Sequence, residues 1–123
     1  MPIALDLLPT PDPRAVRLPG LVTVSIVMHS TGMTNTQATI TYSIDAASDV
    51  FILDNGAPAK AVVRGPFAVP VPPGLGRDDD LSLTRSVGSP RALVPIALAI
   101  QECDAAGAPI GAAQNRDVVV QIL

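Results

Sequence analysis

Few residues in this chain are equipped for chemistry. His29 is the only histidine and Cys103 the only cysteine. A Ser-His-Asp arrangement would have to use His29, beside Ser30 and Thr31, yet no Gly-x-Ser-x-Gly elbow presents a strained nucleophile. His29 therefore reads as a polar residue at a strand end. Cys103 follows an apolar stretch, precedes Asp104 and has no basic neighbour in sequence to activate a thiolate. One Cys and one His are too few for zinc, and an intrachain disulfide is excluded. The carboxylates are ten Asp and the single Glu102. Calcium takes several oxygens from neighbouring Asp side chains, which makes Asp78, Asp79 and Asp80 candidate ligands, with Asp45, Asp49 and Asp54 a second set. Their spacing matches no EF-hand or nonapeptide pattern, and Asp is also what solvated turns prefer.

Other reaction classes lack their parts. Gly74-Leu-Gly76 has neither the Lys nor the strand-to-helix setting of a phosphate loop. A carboxylate pair for glycoside hydrolysis would want aromatic platforms, and the chain's aromatics are only Tyr42, Phe51 and Phe67. The expectation is a chain with no catalytic residues and no cofactor. A net charge of −3, without a Lys/Arg cluster, argues against a nucleic-acid partner. No apolar run approaches the roughly 20 residues of a membrane span. The N-terminus lacks the basic start and long apolar stretch of a secretory signal. The expectation is synthesis in the cytoplasm, with a virion or similar particle as a possible destination.

The elements that must position these residues read as strands. At 123 residues the chain is one domain long, and its 48% apolar content is aliphatic. Residues 1–20 carry Pro2, Pro9, Pro11, Pro13 and Pro19 among Leu5, Leu7, Leu8, Val16 and Leu18. That spacing forbids a helix and predicts an extended arm, with an edge strand near Arg14 to Leu18. Residues 21–123 form the domain proper. Val22, Val24, Ile26 and Met28 alternate with polar residues, as do Ala38, Ile40, Tyr42 and Ile44, each the pattern of a half-buried strand. Val50 to Leu53 leads into Asn55-Gly56, a type I′ hairpin signal, with Ala59 to Val63 returning. Pro66, Pro70, Pro72 and Pro73 around Phe67, Val69 and Val71 predict a sheet edge or a crossing between sheets. Leu75 to Asp80 reads as a surface turn, and Leu81 to Val87 as a strand. Val94, Ile96, Leu98 and Ile100 then alternate with Leu93, Pro95, Ala97 and Ala99, and Val118, Val120 and Ile122 end the chain.

Seven or eight short strands without a helix predict an all-β fold, a single antiparallel sandwich, with a small barrel as the alternative. Leu21 to Gly32, Ala38 to Ile44, Val71-Pro-Pro-Gly74, Ile96 to Glu102 and Val118 to Ile122, in that order, resemble immunoglobulin-like bacterial modules of the fibronectin type III or CARDB kind. The resemblance covers residues 14–123. It implies an immunoglobulin-like sandwich and a habit of binding or spacing rather than an activity.

These features lead to the expectation of a non-enzymatic structural subunit that assembles into or decorates a larger protein particle, such as a phage head, a tail or an injection device. The alternative is a cell-surface binding or spacer module, and a small enzyme is the third reading. The expected partner is protein, as a homo-oligomer or assembly lattice, without nucleic acid or membrane insertion. Its expected contact residues are Leu5, Leu7, Leu8, Val16 and Leu18 on the arm and Leu93, Ala97 and Ala99 on an outward face.

Overall fold

Two five-stranded sheets face each other in the computed structural model, which describes residues 3–7, 14–31, 33–71, 73–85 and 93–123. The strands are β1 (Ile3–Leu7), β2 (Arg14–Val16), β3 (Gly20–Ser30), β4 (Thr36–Ile44), β5 (Val50–Asp54), β6 (Ala57–Ala59), β7 (Ala61–Val69), β8 (Leu75–Arg85), β9 (Leu93–Cys103) and β10 (Gln114–Ile122). The first sheet has the order β1-β3-β8-β5-β6 and the second β2-β10-β9-β4-β7. No helix occurs among the described residues. The all-β sandwich is therefore present, with ten strands rather than seven or eight.

Period-two alternation sets the architecture. One side chain in two along β3, β4, β9 and β10 is aliphatic and points between the layers, where Val24, Ile26, Met28, Ile40, Ile96, Leu98, Val120 and Ile122 are closed to solvent. Burying a Val, Leu or Ile side chain contributes about 1.5–3 kcal/mol, and two sheets are needed because neither can cover its own face. Tyr42 is the largest side chain in this layer and is also fully buried.

The proline-rich start contributes an edge strand to each sheet. β1 pairs antiparallel with β3, Ile3 opposite Ser30 through Leu7 opposite Ile26. β2 pairs parallel with β10, so the sandwich departs from a purely antiparallel pattern at this edge. Val16 and Leu18, expected on a contact surface, belong to the chain's own core: Val16 is buried and Leu18 packs against it. Both are aliphatic and flank the crossing into β3, so the core accounts for them. Leu5 and Leu7 lie on β1, and Leu8 falls outside the described residues.

Two local readings are corrected. The predicted turn at Leu75 to Asp80 is the first half of β8, paired with β3 from Leu75 opposite Met28 to Leu83 opposite Gly20. Three consecutive Asp side chains are tolerated because alternation sends Asp78 and Asp80 outward and Asp79 inward to polar partners. The predicted return strand is divided. Asn55 (φ 52°) and Gly56 (φ 84°) make the expected hairpin, and β6 pairs with β5 only as far as Ala59 opposite Ile52. At Lys60 the chain changes sheets: its carbonyl accepts from the Ile44 amide (2.8 Å) and its Nζ donates to the carbonyls of Ser48 and Val50. β7 then pairs with β4 as an edge strand, as the prolines predict.

Candidate functional site

The polar groups inside the sandwich converge where β7 and β8 meet. Val24 of β3 lies opposite Asp79, which places this carboxylate in the first sheet's inner layer, 5% exposed. Tyr42, from the second sheet, donates its hydroxyl to Asp79 Oδ2. On β8 itself, Arg77 Nη2 stands 2.9 Å from Asp79 Oδ1. One carboxylate therefore ties the two layers together. Burial pushes the Tyr42 hydroxyl well above its ordinary pKa, reinforced by the hydrogen bond to Asp79 and by that carboxylate's charge. The charges of Arg77 and Arg64 act in the opposite direction.

A bulge builds the rim of this cluster. Ala38 is opposite Phe67 and Ile40 opposite Arg64, so β7 advances three residues where β4 advances two. Without the extra residue Arg64 and Phe67 would face opposite sides; with it both turn inward. Gly65 occupies the bulge at φ 105°, and a Cβ there would come within 2.9 Å of both the Ala38 carbonyl oxygen and the Phe67 ring. The guanidinium of Arg77 lies over that ring, 4.5 Å from its centroid. β5 pairs with β8 only at Leu83 and beyond, which leaves this stretch of β8 beside β7 without a β5 partner. Period two alone could not reveal the cluster, because its members lie on three strands and one of them was read as a turn.

A second polar site lies at the end of the second sheet. Thr36 donates to Glu102 (2.7 Å), and both line a groove of about 410 Å³ with Gln37, Cys103, Asp104 and Ile110. Burial works to raise the pKa of Glu102, and hydrogen bonding, including that from Thr36, outweighs it and holds the carboxyl below its ordinary value. Cys103 is a buried free thiol, as its place after an apolar strand suggests.

The expected site residues separate. Asp78, Asp79 and Asp80 do not converge: Asp79 is committed to Tyr42 and Arg77, and Asp80 accepts from Thr23 (2.6 Å) on the outer face. Among the described residues no three metal-binding side chains gather. Leu93 (62% exposed), Ala97 and Ala99 lie on the outer face of β9, beside β10 and β4.

No family model matches the sequence, and no curated protein sequence matches it significantly. Among solved structures the fold is similar to part of the Pseudomonas fluorescens alkylpurine DNA glycosylase AlkC, bound to DNA containing an abasic-site analogue. The likeness has a TM-score of 0.51 at 12% identity. It covers 96% of this chain and 30% of the glycosylase chain, so the present chain corresponds in length to under a third of that protein.

This finding corrects three expectations. A non-enzymatic particle subunit or surface spacer, the absence of an enzymatic role and the exclusion of nucleic acid all give way to a neighbour that is an enzyme bound to DNA. The physical reason lies in what the charge argument averaged. A net charge of −3 says nothing of where charges sit, and the acids here are unevenly placed: Asp78 and Asp80 on one outer face, Asp54 at the end of β5, Asp45 and Asp104 at exposed loops, and Asp117 on the other face.

Proposed function

We propose that this chain is an immunoglobulin-like β-sandwich that engages DNA as one part of a base-excision activity of the alkylpurine glycosylase class. The carrying observation is the likeness of fold, over nearly the whole chain, to a portion of a DNA-bound glycosylase.

The surface supports this reading on one side only. The first sheet's outer face, with Asp78 and Asp80, repels phosphate. The opposite outer face is nearly uncharged, presenting Thr39, Thr41, Ser43, Asn115 and Gln121 with Asp117 as its carboxylate. Hydroxyls and amides of this kind donate to phosphate and sugar oxygens and position a duplex without reading its sequence. Binding is correspondingly modest, in the range of about 10⁻⁶–10⁻⁴ M typical of non-specific contacts.

Fluorescence anisotropy of a labelled duplex containing an abasic-site analogue, titrated with the chain at low salt, tests the proposal. A saturable rise is the expected result. A flat signal to about 10⁻⁴ M, the weak limit of such binding, would overturn it.

A further inference from the structure

The side-chain cations with described surroundings are mostly committed. Lys60 donates to two carbonyls and lies over Phe51, Arg85 stands 3.6 Å from Asp49, Arg77 pairs with Asp79, and Arg116 turns onto the carbonyl of Asn115. Arg64 is different. It is half-buried on the inward side of β7, yet forms no hydrogen bond or ion pair among the described residues. Its charge and that of Arg77 both act on Tyr42, and Asp79 is the carboxylate set against them. Arg77 is paired with Asp79, whereas Arg64 has no carboxylate partner among the described residues.

We propose that Arg64, backed by Arg77, seats one phosphodiester group of a DNA strand at the β7–β8 rim. This rests on the DNA reading above and adds to its neutral face a charged contact at the β7 edge of the same sheet. None of the Arg64 guanidinium nitrogens is closed to solvent, so an anion can reach it from outside. A phosphate oxygen supplies the missing acceptors, and the guanidinium fork matches two of them at once. The bulge at Gly65 puts Arg64 and Phe67 on the same side of β7, and the Arg77 guanidinium lies over the Phe67 ring. Among the charged residues of this rim, Asp79 is already divided between two donors and does not compete for Arg64.

The test uses the full chain as wild type, Arg64→Gln and Arg64→Lys, with melting temperatures to confirm folding. Each is titrated with the abasic-analogue duplex by anisotropy and with inorganic phosphate by backbone amide NMR. Arg64→Gln is expected to weaken duplex binding about fivefold to tenfold and to reduce the salt slope by about 1, while Arg64→Lys retains the slope. Phosphate is expected to shift the amides of residues 62–65 and 67. If wild type and Arg64→Gln bind the duplex equally and with equal slopes, the seat is refuted while the DNA reading stands. Phosphate shifts at these amides without duplex binding would refute the phosphodiester assignment and the DNA reading together. Neither ligand binding refutes both proposals.

Discussion

Replacing Tyr42 by Phe isolates a hydrogen bond that crosses the sandwich through its buried layer. The ring and its packing stay, and only the hydroxyl that donates to Asp79 is lost. A hydrogen bond to a buried charged group contributes about 1.5–3 kcal/mol, and Asp79 keeps Arg77 in the variant, which favours the lower half of that range. A loss near 2 kcal/mol lowers Tm by roughly 6–10 °C in a domain of this size. The pH dependence supplies the more specific signature. The Tyr42 pKa is raised in the folded state, so from about pH 10 the unfolded chain releases the phenol proton while the native protein retains it. The native state then binds more protons, and stability falls with rising pH. The hydroxyl's contribution is therefore complete below pH 10 and declines above it by about 1.4 kcal/mol per pH unit. By pH 11 the wild type should have lost most of its advantage over Tyr42→Phe. Tyr42 is the only tyrosine and there is no tryptophan, so phenolate absorbance near 295 nm reports this residue alone. Urea titrations at pH 7 and 11, with absorbance followed in parallel, make the measurement. A folded protein whose phenol ionises near pH 10, or a Tyr42→Phe variant as stable as wild type at pH 7, would refute the reasoning.

Gly65→Ala should cost at least about 1 kcal/mol in urea unfolding, because the added Cβ meets the Ala38 carbonyl and the Phe67 ring at a positive φ. Leu98→Ala, at a fully buried site between the sheets, should cost about 2–5 kcal/mol, measured by the same transition. Cys103 is 4% exposed, so its reaction with a thiol reagent should be slow in the native protein and become fast only on unfolding, followed by reagent absorbance. Thr36→Val should destabilise by about 1 kcal/mol or more through the hydrogen bond lost to Glu102, as read from Tm.

What could be read in advance was whatever repeats at short range. The alternation in Val22 to Met28 and Ala38 to Ile44 is a local record of which face is buried, and β3 and β4 follow it. Asn55-Gly56 carries its turn in its own backbone preferences. The stretch Asp78 to Asp80 misled because its composition belongs to turns, while its fate was decided by Tyr42 and Arg77, one of them 37 positions away. Likewise the extra residue that turns Arg64 and Phe67 to one side is visible only against β4, since a bulge is a property of two strands. The arm was legible as extended chain, but not its division between sheets, which depends on edges formed by β3 and β10.

The pairing of β2 with β10 also bears on the order of events during synthesis. Residues 14–16 are made roughly a hundred residues before β10, the strand they pair with; the amide of Leu123 then closes onto the carbonyl of Val16 (2.9 Å). Until that point β9 has an open backbone edge on the β10 side, and the inner face of Val94, Ile96 and Leu98 is partly uncovered. A chain that has made β9 but not yet β10 carries an adhesive, half-built sheet. Loss of residues 114–122 would therefore leave a sticky intermediate rather than a smaller domain, and the nine-residue strand β10 acts as the latch that closes the second sheet.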